Sequence, residues 1–360
     1  MNLMKITISA LVLATAIMSG CGGERKNDPV LLTDATLATA IRQAVDNSIV
    51  PAAVSFSAAS QELNTSVTAL CATPTLDALS IAQDEWSELA QAWYRLLPYL
   101  FGPLNDNVVL PDYLFVDSLR QRGNDYTATV RNEITSMVEG DMTLDSAYFD
   151  ALNFQKVGFL ALEVGLFQTL NESTDNNDIL TELTDETRKC DVILGLGHHL
   201  NGFADTFSVE WQQDYQSSGG SYRDAFLAGE TEDGSEPLTL VLTRLQEHFE
   251  YLKQRSVADQ ASNIADQPWV LMSATLTAAE QFIEGVDGTT SVSFADLMTA
   301  AGATTALASV RDNFSRAKEA IADQSPTDFY AACALLDGNL KREIPDSLAV
   351  QLGINFTDGD

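Results

Sequence analysis

The 360-residue chain carries 51 acidic and 20 basic side chains, a formal charge of −31 at neutral pH. That balance excludes general nucleic-acid binding, which needs clustered lysine and arginine, and disfavours lying flat on anionic lipid. Hydrophobic residues make up 45% of the chain, enough for packed cores, and its length exceeds what one core accommodates, so two domains are expected.

Residues 1–20 read as a lipoprotein signal peptide. Lys5 supplies the positive charge and Ile6 to Met18 the apolar run. The run is too short to span a bilayer, which takes roughly 20 apolar residues. It ends in Met18-Ser19-Gly20-Cys21, the form of a lipobox, so Cys21 is the expected lipidation site and membrane lipid the expected partner. An ordinary signal peptide with an incidental cysteine is the alternative. Gly22 stands where an aspartate would favour inner-membrane retention, which points to the periplasmic side of the outer membrane or the cell surface. Residues 21–33 form a polar tether.

From Asp34 onward the pattern is helical, and hairpin signals between alternating β-branched runs are missing. The first helix is expected over about 35–70, bent or broken before Pro51. Thr75 caps a second reaching Tyr99, with Trp86, Leu89, Trp93 and Leu96 at helical spacing. Phe101-Gly102-Pro103 stops it. Further helices are expected over 124–138, 146–170 and 183–213, with a loop at 171–178. Ser217-Ser218-Gly219-Gly220-Ser221 and the acidic run at 230–233 mark a junction. Beyond it helices are expected near 236–256, 268–285, 292–300, 303–323 and 326–338. The reading is an all-α protein of two side-by-side, four-helix-bundle-like units, 34–216 and 217–360.

The stretch 146–170 holds the most informative residue. Phe149, Leu152, Phe159, Leu160, Leu166 and Phe167 trace one helical face, and Glu163 falls on it. A carboxylate withdrawn from water costs several kcal/mol unless a cation or several donors answer it. Lys156, Arg188, His198, His199 or a base from the second half are the candidate partners. A buried ion pair that positions helices and a polar group inside a ligand groove fit the pattern equally. Gly158 and Gly165 read as mid-helix glycines permitting close backbone approach.

The three histidines are His198, His199 and His248. Adjacent histidines on a helix diverge by about 100°, so His198 and His199 do not chelate one ion as an i, i+4 pair would. His199 lies near the Leu196, Leu200, Phe203 stripe; His198 shares a polar flank with Asp191, Gly195, Gly202 and Asp205, which is either a site or a groove for a neighbouring helix. A dedicated zinc site is poorly supported. After Cys21, Cys71, Cys190 and Cys333 remain, an odd number for an oxidising compartment. A Cys71–Cys190 disulfide is the preferred pairing, because both residues flank helices of the first half; three free thiols are the alternative. Trp86 reads as a core anchor or a pocket wall.

Several segments resemble the imelysin family of exported bacterial proteins: Cys71-Ala72-x-Pro74 followed by Trp86 and Trp93, Phe101-Gly102-Pro103, Gly158-Phe159-Leu160-Ala161-Leu162-Glu163, Arg188-x-Cys190, and the ending Asn355–Asp360. The family's hallmark is Gly-x-His-x-x-Glu; Gly158 and Glu163 match it, and Leu160 stands at the histidine. Leucine offers a metal no lone pair and has no proton to transfer, so the departure weakens the peptidase and metal readings for this chain. The resemblance implies two helical bundles with a ligand groove between them, for which Gly158, Leu160, Glu163, Trp86, Arg188 and His198 are the candidate lining. It also implies a connection with iron uptake, iron-transport proteins as partners, and iron or another divalent metal as the cofactor to test. The alternatives are a metallopeptidase of the imelysin type and a cell-surface scaffold.

Overall fold

The computed structural model describes residues 34–105, 110–120 and 124–350. The expected leader with Cys21, the expected tether and the Asn355–Asp360 ending lie outside them. Among the described residues the regular structure is helical, without strands. The longer helices are α1 Asp34–Ala44, α2 Val50–Ala72, α3 Leu76–Leu96, α4 Thr127–Glu139, α5 Phe159–Phe167, α6 Asn176–Asp185, α7 Arg188–Gln212, α8 Pro237–Gln254, α9 Pro268–Glu284, α10 Phe294–Ala300, α11 Thr304–Ala322 and α12 Pro326–Gly338.

Local chemistry sets several of these boundaries. The Thr75 side chain accepts a hydrogen bond from the Ala78 amide and starts α3. Pro51 has no N–H to donate to the turn before it and its ring crowds that turn's carbonyl. A π turn over Val45–Ile49 absorbs the misfit, so α1 and α2 run on rather than break. The same device, a π turn over Asn339–Glu343, precedes Pro345.

Two expectations are corrected. The expected helix 146–170 is three pieces: a short helix Ser146–Asp150, a 3-10 turn Phe154–Lys156, and α5. Gly158 caps α5 from outside with φ +80°, a conformation that excludes it from any helix interior. The expected helix 183–213 begins later, at Arg188, because α6 occupies Asn176–Asp185 and a break intervenes.

Helices α2, α3, α4, α5 and α7 pack against one another, and α8 through α12 do the same, while α3 packs on α9 to join the two sets. One continuous buried core runs through both. The N-terminal α1 reaches across: it packs on α10, and Gln43 accepts hydrogen bonds from the Ser291 and Val292 amides; Asp46, in the π turn that follows, pairs with Arg223. Past Ser217, Tyr222 and Phe226 pack on Trp211 and Phe101.

Cys71 and Cys190 form a disulfide with Cα atoms 5.6 Å apart, tying the end of α2 to the start of α7 across 119 residues of sequence. Cys333 is a buried thiol whose pKa burial pushes up, so it remains protonated. Closing so long a loop restricts the unfolded chain; Cys71→Ser is therefore expected to lower unfolding free energy by about 3–5 kcal/mol. Denaturant titration with and without reductant measures this, and the variant is expected to be insensitive to reductant.

Candidate functional site

Glu163 lies on α5 where that helix meets the second set of helices, and its residue is 4% exposed. Its Oε1 accepts two backbone N–H groups from the far side of the molecule, Ile264 at 3.1 Å and Ala265 at 2.9 Å. Ser262 Oγ is near enough to draw the carboxyl pKa down without meeting full hydrogen-bond geometry. The segment that supplies these donors, between residues 256 and 267, holds Ser256, Ser262 and Asp266 at positive φ. For residues with a Cβ such backbone costs on the order of 1 kcal/mol each, and strain of this kind gathers at functional sites. Consecutive amides aimed at one carboxyl oxygen form an anion nest, here filled by a side chain of the same protein.

The carboxyl pKa is raised to about 7. Burial is the main cause; the Ala265 and Ile264 amides and Ser262 oppose it, and the negative charge of Asp125 adds to the rise. Near neutral pH the group therefore exists in both forms. In either one Oε1 accepts the two amides, and the protonated form also has an O–H to donate.

Beside Glu163 opens a cavity of about 200 Å3, bounded by Trp86, Tyr94, Tyr126, Phe159 and Leu160 on one side and by Gln260 to Ile264 on the other. Trp86 is buried; its indole N–H donates to the Phe159 carbonyl at 3.3 Å and its ring meets Phe159 and Phe167 edge-on. Leu160 is half-buried on the cavity wall. Asp117 also lines it, and both its oxygens are engaged: Oδ2 accepts from Trp93 Nε1 at 3.2 Å, Oδ1 from the Leu119 amide at 3.1 Å.

The candidate partners of Glu163 are corrected. Lys156 pairs with Glu133 at 2.6 Å. Arg188 donates Nε to the Met137 carbonyl at 2.6 Å and also bonds the Met142 carbonyl, closing the C-terminal end of α4 instead of facing the groove. His199 Nδ1 lies 3.0 Å from Asp150 Oδ1, and its ring packs on Phe203. His198 and Arg188 line a different cleft, of about 710 Å3, between residues 141–150 and α7. The face of α7 that bears them is turned away from α5's carboxyl, and backbone amides do the work expected of a base.

Gly158 does not line the cavity but sets where α5 starts. A Cβ there would fall 2.4 Å from the Val116 carbonyl oxygen and 2.6 Å from that of Phe115. Gly165 lets Ile193 of α7 approach, a Cβ there lying 3.0 Å from Ile193 Cγ1. Sequence reasoning missed the Ile264 and Ala265 amides with Ser262 beside them, Tyr126 and Asp125. The only trace of the first was the Ser-Asn cluster after α8, which reads as a turn and nothing more.

The described residues around Glu163 do not fit a metal. Among the described residues no three His, Cys, Asp or Glu side chains converge on one point. Leu160 replaces the expected nitrogen donor, and Oε1 of Glu163 is already committed to two amides.

Two measurements test this geometry. A carboxyl whose pKa rises from 4.5 to about 7 on folding binds its proton more tightly folded than unfolded. Its contribution is thus most favourable below pH 4.5 and falls by on the order of 3 kcal/mol as pH rises to 7, then levels off. Comparing chemical denaturation of wild type and Glu163→Gln at pH 5 and pH 8 isolates it: the variant is expected to gain relative stability at pH 8. Gly158→Ala is expected to cost roughly 2–4 kcal/mol in the same assay, since both φ and space oppose a Cβ.

The family model for imelysin (peptidase M75) matches residues 49–344. An imelysin-like protein from Psychrobacter arcticum 273-4 shares the fold at a TM-score of 0.65 and 16% identity, over 91% of this chain and 99% of that one. A putative iron-regulated protein A precursor from Parabacteroides distasonis ATCC 8503 aligns at a TM-score of 0.59 and 13% identity, over 90% of this chain and 97% of that one. No curated protein matches. With the model spanning most of the chain and the all-α architecture shared, this protein belongs to the imelysin family.

Proposed function

We propose that the protein is an extracytoplasmic lipoprotein that binds a ligand in the cleft beside Glu163, in connection with iron uptake. The observation that carries the binding reading is a buried carboxyl with pKa near 7 on the wall of a cavity, held by a strained loop from the opposite set of helices. The export reading rests on the lipobox-like Met18–Cys21, and the precursor description of the Parabacteroides relative supports it. No helix among the described residues is long and apolar enough to cross a membrane; in this reading an acyl chain on Cys21 makes the attachment. The iron connection leans on that same relative, described as iron-regulated. Membrane lipid and iron-transport proteins are the partners this role calls for.

Peptidase chemistry is disfavoured by the donor set around Glu163. A hydrolytic metal needs three protein ligands and an open position. Leu160 supplies none of these.

Cys21→Ser is expected to move the protein from the membrane fraction to the soluble one, with loss of the acyl mass from the mature N-terminus. A chelator-sensitive cleavage assay is expected to be negative. Stoichiometric zinc together with cleavage abolished by Glu163→Gln would restore the peptidase alternative.

A further inference from the structure

Helix α7 carries a flank that the Glu163 cavity does not use. Asp191, Leu194, Gly195, His198 and Gly202 follow one another along it at helical spacing, and with residues 141–150 they line the cleft of about 710 Å3. The two openings share no lining residue. The floor of this one is apolar: Met142, Leu144 and Leu194 are half-buried and Phe149 is buried. A Cβ on Gly195 would fall 2.0 Å from Phe149 Cε2, so that glycine lets the ring lie on α7. Gly202 has no such reason within the chain. A mid-helix glycine is less favourable than alanine, and no atom stands within 4 Å of where its Cβ would be.

The rim is acidic. Asp141, Asp145, Asp150 and Asp191 stand on it, all exposed, and among the described residues no lysine or arginine pairs with any of them. The lining does hold one fixed cation, Arg188, whose Nε and Nη2 are given to the Met137 and Met142 carbonyls. His199 also lines the cleft, with its side chain 6% exposed. A carboxylate only accepts, so Nδ1 donates to Asp150, and in the neutral ring Nε2 is an acceptor; it is buried and has no hydrogen-bond partner among the described residues.

We propose that this cleft docks a basic segment of a partner protein, one apolar side chain of that segment resting on Leu144, Phe149 and Leu194 and its lysines or arginines lying beside Asp141 and Asp191.

Four carboxylates against one guanidinium set the sign of the partner. An acidic segment would be repelled by the rim, and Arg188 has already given two of its donor groups to backbone carbonyls. Exposed ion pairs are each worth roughly fivefold in affinity at most, so the rim selects the partner and speeds its approach, while the apolar floor supplies most of the binding. The volume suits a side chain with its flanking backbone and is far more than a bare ion fills. No three His, Cys, Asp or Glu side chains converge here on one point among the described residues, which argues against a metal.

Fluorescence anisotropy with a dye-labelled Lys-Lys-Leu-Lys-Lys peptide tests the proposal. Lys-Lys-Gly-Lys-Lys removes the apolar anchor and Glu-Glu-Leu-Glu-Glu reverses the charge. The basic peptide is expected to bind, about tenfold more weakly without its leucine and not measurably with its charge reversed. Asp141→Asn combined with Asp191→Asn is expected to weaken binding roughly fivefold. Gly202→Trp projects into open space, so it is expected to block the cleft, with a loss of about tenfold, and to leave the denaturation midpoint no lower. Glu319→Gln combined with Asp323→Asn removes the same charge from exposed positions at the end of α11 and is expected to leave the affinity unchanged. If that pair weakens binding as much as the cleft pair does, the peptide answers only to net charge and the proposal is overturned. A glycine or acidic peptide binding as tightly as the leucine one overturns it too, as does 1,4-diaminobutane displacing the peptide at equal concentration, which makes the cleft a small-cation site. Absence of peptide binding also overturns it; a dimer in sedimentation that Gly202→Trp dissociates would then name a second copy of the chain as the occupant.

Discussion

Much of the structure turns on a carboxyl group that the fold removes from water and then answers with backbone amides. The two N–H bonds to Glu163 Oε1 join α5 to the loop before α9, two segments about a hundred residues apart in sequence. Bonds to a charged acceptor contribute about 1.5–3 kcal/mol each, and burial of an unpaired carboxylate costs several. Here burial wins narrowly. The pKa near 7 records that result: the amides hold the group in place without making its charge comfortable.

The loop itself carries the other side of the balance. Ser256, Ser262 and Asp266 lie in the left-handed region, which serine and aspartate tolerate poorly compared with glycine. The loop keeps this shape because it is held at several points. Glu163 grips its centre, Ser87 of α3 bonds the Gln267 side chain at its end, and α9 follows directly, packed on α3. Farther along the same seam the Tyr99 hydroxyl donates to the Ala278 carbonyl at 2.8 Å. The contact between the two sets of helices is therefore a row of hydrogen bonds alongside apolar packing, and the cavity opens at its Glu163 end.

Placement of α5 depends on Gly158 and on aromatic packing. Phe159 stands among Phe56, Trp86 and Trp93, with ring centroids within 6.3 Å, so the first residue of the helix is locked as soon as the glycine turns the chain. Leu160 then faces the cavity where the family motif has a histidine. An apolar wall in place of a lone pair changes what the cleft can recognise: at that position the surface offers apolar area beside the Glu163 carboxyl. The Cys71–Cys190 disulfide is remote from this chemistry and acts on the unfolded chain.

Helical periodicity, capping residues and stop signals are local, so the sequence alone determined that the protein is helical, that Thr75 starts α3, and that Glu163 shares a face with core residues. The spacing of apolar positions states which side of a helix is buried and is silent about what it is buried against. For that reason the partners of Glu163 were illegible: a backbone amide belongs to every residue type except proline, and nothing in Ile264 or Ala265 marks them as donors. The break at Gly158 was hidden for a related reason, since a glycine in an apolar run looks the same whether it lies inside a helix or caps it. Only tertiary packing, through the carbonyls of Phe115 and Val116 pressing on residue 158, decides between the two. It likewise turned Arg188 and His198 into a separate cleft, because the rotation of α7 about its axis is set by its neighbours and not by its own sequence.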